Sequence, residues 1–174
     1  MNAIDNFDKV QAYIDADHTA KGPDKFYFVQ VLMRKGTNIS DSNSNRARTL
    51  KTFYIPSDKL LSEYKDEIVY YCEKTNTRAY INLNARSFKK TALQAINLLS
   101  SAIRNEHETS AYTVYNKAVM DVPIVGKKTW FLDFDEKDYT DRTEYEKVFA
   151  RCKTLLELKE IKFDIIPSKS GAHI

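Results

Sequence analysis

Hydrophobic and polar positions along the chain fall into short blocks of alternating type. Ile4, Phe7, Val10 and Ile14 recur at helical spacing, so a short helix opens the sequence. Lys21-Gly22-Pro23-Asp24 is a turn. Phe26 to Met33 is rich in aromatic and β-branched residues and reads as a strand. A polar loop, Lys35 to Asn45, separates it from a second strand, Thr49 to Ile55, which gives a long-looped hairpin. Pro56-Ser57 then starts a helix with Ser57 as its N-cap and Leu60, Leu61, Tyr64, Ile68 and Tyr71 on one face.

The segment Arg78 to Arg86 alternates strictly, the period of a strand. Ala79, Ile81, Leu83 and Ala85 point one way; Arg78, Tyr80, Asn82, Asn84 and Arg86 point the other. Ser87 caps a helix to about Arg104, with Phe88, Ala92, Ile96, Leu99 and Ile103 expected inward. Ala111 to Lys128 has no clean period, and Pro123 and Gly126 interrupt it. Thr129 to Asp135 is a strand. Asp141 or Thr140 caps a helix with Tyr145, Val148, Phe149, Cys152, Leu155 and Leu156 on its apolar stripe, and Thr143 with Glu146 has capping-box spacing. Lys162 to Pro167 is a further strand, Ser168-Lys169-Ser170-Gly171 a turn, and Ala172-His173-Ile174 the start of a returning strand. The order of elements predicts an α+β fold: an open, mainly antiparallel sheet with helices packed mostly on one face. The division expected is an N-terminal α+β region, 1–128, with a basic sheet face, followed by 129–174, the two forming one compact unit. An apolar residue at the very end suggests a fragment of a longer protein.

Composition narrows the class. With 174 residues, 43% apolar and 29% charged, the chain suits a globular domain. Gly and Pro number four each, too few for a linker-rich or collagen-like chain. No run approaches the ~20 apolar residues of a membrane span. Cys72 and Cys152 have neither metal nor redox spacing and read as reduced thiols of a cytoplasmic protein.

Charge is placed unevenly. From Lys74 to Asn105 there is no acid, against Lys74, Arg78, Arg86, Lys89, Lys90 and Arg104. From Leu132 to Lys147 the balance inverts to Asp133, Asp135, Glu136, Asp138, Asp141, Glu144 and Glu146 against three cations. Basic clusters take phosphates and a compact acidic cluster takes a divalent ion. The Arg78–Arg86 face, with arginines, asparagines and a tyrosine but no acid, suits phosphates or bases; Arg78, Tyr80, Asn82, Arg86, Lys89 and Lys90 are the candidate nucleic-acid contacts. A solvated sheet face is the plain alternative.

Asp133 and Asp135 share one side of their strand with Phe131, about 6.5–7 Å apart at Cα, so both carboxylates can reach one Mg²⁺ or Mn²⁺. Asp15-Ala16-Asp17 repeats the spacing but reads as a helix end. The alternative for Asp133 and Asp135 is an exposed strand terminus. The turn Ser168-Lys169-Ser170-Gly171, with His173 two residues on, offers hydroxyls, N–H groups and a lysine to an anion.

Leu132-Asp133-Phe134-Asp135, then a helix, then a strand entering Ser168-Lys169-Ser170-Gly171-Ala172-His173-Ile174, resembles the catalytic core of the archaeo-eukaryotic primase superfamily, particularly its phage and mobile-element members. The resemblance implies an RRM-like palm in the C-terminal part and template-directed nucleotidyl transfer by a primase or primase-polymerase. Asp133 and Asp135 would be the catalytic metal ligands for Mg²⁺ or Mn²⁺. Ser168, Lys169, Ser170 and His173 would contact the nucleoside triphosphate. Single-stranded or primed nucleic acid and other replication proteins would be the partners, with no membrane. The superfamily's third motif, an aspartate on a later strand, has no counterpart before Ile174, and Asp164 does not match it. Two other readings stand beside this one: a non-catalytic module that binds single-stranded nucleic acid, and a metal-dependent nuclease.

Overall fold

A computed structural model describes residues 5–33, 48–168 and 170–174. The polar segment Lys35 to Asn45 and Lys169 lie outside the described residues. The fold is α+β, and the chain divides into two compact units: Gln11–Thr129, and Met1–Val10 together with Trp130–Ile174.

Helix α1 (Phe7–Ala16) opens the chain. In the larger unit β1 (Lys25–Met33) is the centre of a three-stranded antiparallel sheet, with β2 (Arg48–Pro56) on one side and β3 (Arg78–Ser87) on the other. Six of the nine residues of β1 are buried and the other three half-buried. A strand is apolar on both sides only when both sides are covered, and here they are. One face, with Tyr27, Val29, Val31, Phe53 and Ile55, takes α2 (Lys65–Thr75), whose Ile68 is buried and whose Tyr71 ring meets Phe53 edge-on at 5.9 Å. On the other, Phe26 and Phe28 pack with Val119 of α4 (Ala111–Asp121), and Tyr54, Phe88 and Tyr115 close around them. The Tyr54 hydroxyl donates to Asn116 Oδ1 at 2.6 Å. Helices therefore cover both faces, not mostly one.

Three local outcomes differ from the sequence pattern. Ser57 is not an N-cap: its hydroxyl exchanges two 3.1 Å hydrogen bonds with the backbone of Gly22, and a 3₁₀ turn, Leu61–Tyr64, precedes α2. The unassigned stretch after Ala111 is α4, capped by the Ser110 hydroxyl. In α3 (Phe88–Arg104), correctly capped by Ser87, the expected inward residues Ala92, Ile96, Leu99 and Ile103 are exposed.

The smaller unit holds α5 (Arg142–Leu158) and a second antiparallel sheet of three short strands, β4 (Asp133–Asp135), β5 (Ile166–Ser168) and β6 (Gly171–His173), with β6 in the middle. Asp141 caps α5 by accepting from Glu144 N at 2.8 Å. An aromatic series joins helix to sheet: Tyr139 to Tyr145 (5.6 Å), Tyr145 to Phe149 (5.8 Å) and Phe149 to Phe134 (5.2 Å). No helix among the described residues is long and apolar enough to cross a membrane.

Candidate functional site

The site candidates divide between the units, and each group is taken by itself. In the smaller unit the register decides which side chains meet. Asp133 pairs with His173, Phe134 with Ala172 and Asp135 with Gly171; on the other side of β6, Ile166 pairs with His173 and Ser168 with Gly171. Directly opposed residues share a face. Phe134 and Ala172 are buried, with Phe134 against Phe149 of α5. The opposite face carries Asp133, Asp135, His173, Ser168 and Ile166.

Leu132 and Ile174 exchange both backbone hydrogen bonds, at 2.9 and 3.0 Å, so the next pair inward, Asp133 and His173, is of the closely spaced, non-hydrogen-bonded kind. Their side chains meet accordingly: His173 Nδ1 lies 3.2 Å from Asp133 Oδ1. Phe131, two residues before Asp133, sets its ring edge-on to His173 at 6.3 Å. Asp135 is held from two sides. The Ser170 hydroxyl donates to its Oδ1 at 2.7 Å, and Lys137 Nζ lies 2.8 Å from its Oδ2. The Asp133 side chain is 63% exposed and that of Asp135 only 16%. Ser168 Oγ is buried without a hydrogen-bond partner among the described residues.

Gly171 sets the strand spacing. Its φ is +156°, and a Cβ there would stand 1.8 Å from the Phe134 carbonyl oxygen. With no side chain it lets β6 approach β4 and leaves the space opposite Asp135 clear.

Sequence segments more than thirty residues apart thus bring Asp133, Asp135, Ser170 and His173 to one neighbourhood, with Ser168 on the same face. Sequence reading missed Lys137 as the counter-charge of Asp135 and Asp24 as a helix-start acceptor. A lysine two residues after the second aspartate was the available signal for the first; nothing local signals the second.

Among the described residues no group of three or more His, Cys, Asp and Glu is arranged to hold a metal ion. Two carboxylates on one face still fit Mg²⁺ chemistry, because that ion usually takes one or two protein carboxylates and fills its shell with water and phosphate oxygens. Asp133 and Asp135 would be those ligands.

The basic strand in the larger unit departs from expectation. Phe26 pairs with Arg86 but Phe28 with Asn82, so Leu83, Asn84 and Ala85 bulge opposite Tyr27 alone. Asn82 Oδ1 accepts from Asn84 N at 2.9 Å, and the Asn84 side chain exchanges hydrogen bonds with the Thr129 backbone at 2.7 and 3.1 Å. Arg86, expected to meet a phosphate, is 6% exposed. Its Nε donates to Val119 O at 3.1 Å and its Nη1 to Asn84 O at 3.1 Å and Ala85 O at 3.4 Å. Burial holds its pKa below the usual arginine value. Arg86 ties α4 to the sheet and is no phosphate contact. Tyr80 and Asn82 are half-buried, and Arg78, Lys89 and Lys90 are exposed. Asp24 fixes the start of α3: it accepts from the Ser87 hydroxyl at 2.6 Å and from Lys89 N at 2.8 Å, and these bonds, the Ser87 one first, hold its carboxyl below the ordinary range.

No family model, curated protein or solved structure matches this chain.

Proposed function

We propose that the open face of the β4-β6-β5 sheet is a metal-dependent nucleotidyl-transfer site of the primase or primase-polymerase kind, with the sheet and α5 as its palm. The observation that supports this reading is the shared face: Asp133 lies against His173, and Asp135 against Ser170, across strands from opposite ends of the segment. In this reading Asp133 and Asp135 are the catalytic carboxylates and hold Mg²⁺ or Mn²⁺. The ion, when bound, neutralises charge on the triphosphate and favours ionisation of the attacking hydroxyl. Ser168, Lys169, Ser170 and His173 receive the triphosphate, with the Ser168 hydroxyl a donor not engaged elsewhere among the described residues. Arg78, Lys89 and Lys90 supply positive charge to single-stranded or primed nucleic acid, with Tyr80 and Asn82 on the same strand as Arg78. The setting is cytoplasmic replication beside other replication proteins.

The test is Mn²⁺ binding followed by electron paramagnetic resonance, with and without a nucleoside triphosphate. Joint binding, lost in both Asp133→Ala and Asp135→Ala while circular dichroism is unchanged, is expected. Template-directed extension of a primed oligonucleotide should fall at least a hundredfold in the same variants. Oligonucleotide binding without metal or triphosphate binding would point instead to a non-catalytic module, and metal-dependent strand cutting to a nuclease.

A further inference from the structure

Asp135 is engaged on both oxygens, and the two contacts differ in kind. The Ser170 hydroxyl donates to Oδ1 at 2.7 Å, and Lys137 Nζ lies 2.8 Å from Oδ2. A hydroxyl is neutral and orients the carboxylate, as groups behind a metal ligand do. An ammonium is itself a cation, so it competes with a divalent ion for the oxygen it holds and repels that ion as well.

Lys137 is anchored by its backbone and exposed along its side chain. It sits in the 3₁₀ turn Glu136–Asp138. Glu136 N donates to Ser170 O at 2.7 Å, which ties the turn to the start of β6, and Tyr139 N closes it by donating to Glu136 O at 3.2 Å. The Lys137 side chain is 67% exposed and that of Asp135 16%. A four-carbon stem with rotatable donors, its end in water, exchanges one acceptor for another nearby without moving the turn.

Three kinds of acceptor compete for that ammonium. Glu136 and Asp138 flank it, both exposed, and Glu136 also faces the Arg142 charge. Pairs formed with them in water are worth little. Asp135, better shielded, is the acceptor it takes. Phosphate oxygens are the third kind and make strong charge-assisted hydrogen bonds. A triphosphate whose metal ion is held by Asp133 and Asp135 brings such oxygens to the reach of Lys137.

We propose that Lys137 makes this face select a metal–triphosphate complex over the bare ion. Against Mg²⁺ or Mn²⁺ alone, the ammonium keeps Asp135 Oδ2 and opposes a second cation. Toward the anionic metal–triphosphate complex, it turns from Asp135 to a phosphate oxygen. One side chain thus weakens the first ligand by itself and strengthens the two together, which is a coupling between them. The inference rests on the nucleotidyl-transfer reading and adds a specificity-determining residue to it.

Two calorimetric titrations test it, one with Mn²⁺ alone and one with preformed Mn²⁺–dATP. The variants are Lys137→Met, Lys137→Arg and, as a control for net charge, Lys147→Met at an exposed lysine of α5. Lys137→Met should bind Mn²⁺ about three- to fivefold more tightly and Mn²⁺–dATP about three- to fivefold more weakly, the scale of an ion pair partly in water. Lys137→Arg should stay near the parent in both titrations, and Lys147→Met should change neither. All three should keep the parent's melting temperature. The inference is overturned if Lys137→Met moves the two affinities in the same direction or leaves them unchanged, or if Lys137→Arg behaves like it. It is also overturned if Lys147→Met reproduces the shifts, or if Lys137→Met melts well below the parent, which would make the ion pair a structural tie. Asp133→Ala separates the two claims. Loss of Mn²⁺ binding there, beside a parent-like Lys137→Met, sinks this inference alone. Parent-like Mn²⁺ binding in Asp133→Ala sinks the nucleotidyl-transfer reading and this inference with it.

Discussion

Replacing Arg86 by Met keeps much of the side-chain volume and removes every donor. The guanidinium makes two hydrogen bonds of 3.1 Å, to Val119 O and Asn84 O, and a longer one of 3.4 Å to Ala85 O. The last two share one nitrogen, so they count as little more than one. The variant leaves the carbonyls of Val119 and Asn84 without that donor, at roughly 1–3 kcal/mol each. Against this, the folded protein no longer carries a desolvated cation, whose penalty is several kcal/mol before its hydrogen bonds are counted. The relief offsets the carbonyl loss only in part, and the net destabilisation expected is about 1–3 kcal/mol. Lysine is a sharper probe of geometry. It keeps the charge but offers a single nitrogen, which cannot serve carbonyls on both β3 and α4 as a planar fork does. Arg86→Lys should therefore cost stability as well, and not behave as a conservative change. Urea unfolding of both variants, followed by circular dichroism at constant m, measures this directly. If Arg86→Met unfolded within about 0.5 kcal/mol of the parent yet lost oligonucleotide affinity, the arginine would be a surface phosphate contact and its structural role would be refuted.

Gly171→Ala should destabilise the smaller unit by about 2–4 kcal/mol, because the new Cβ at 1.8 Å from Phe134 O needs roughly 3.3 Å and the strands must part; loss of the His173–Asp133 proximity in NMR spectra checks it, and an unchanged spectrum and melting temperature would contradict it. Burial pushes the Tyr27 phenol up from 10.0 to about 12, and that of Tyr54 upward too. The folded pKa is raised, so this stabilisation is complete below pH 10 and is lost as pH climbs from there toward 12, by roughly 1.4 kcal/mol per pH unit for Tyr27. Urea midpoints at pH 9, 10.5 and 11.5 should fall accordingly, and Tyr27→Phe should flatten the decline. Phe134→Ala removes the ring that joins β4 to Phe149 and should cost about 3–5 kcal/mol in the same unfolding assay.

The hairpin of β1 and β2, β3 and the first helix were legible because long elements repeat their period often enough to outweigh exceptions. The bulge in β3 was not. Strict alternation from Arg78 to Arg86 placed every second residue on one open face, but period two says nothing about what covers that face. Phe26 and Phe28 were part of the same apolar run as Tyr27 and Val29, which already implied a strand buried on both sides. The covering of the second face, and with it the burial of Arg86, follows from that run and not from β3 itself. In α3 the periodicity was right and its orientation wrong. An apolar arc of about 160° contains more than one buriable stripe, and the fold takes Thr91, Ala95 and Leu98 over Ile96, Leu99 and Ile103.

The smaller unit poses the opposite problem. Its strands are three residues each, too short for a period to select a face. The two carboxylates were visible as a pair, and the serine-glycine-histidine turn as an anion-binding candidate, yet nothing in either segment alone fixes how they align. Gly171 fixes it. The close approach to Phe134 O tolerates only a residue without Cβ. Sliding β6 by one residue would drive the methyl of Ala172 toward that carbonyl and turn His173 to the side where Phe149 sits, away from Asp133. One glycine thereby sets the register and, through it, the face on which the imidazole meets the carboxylate.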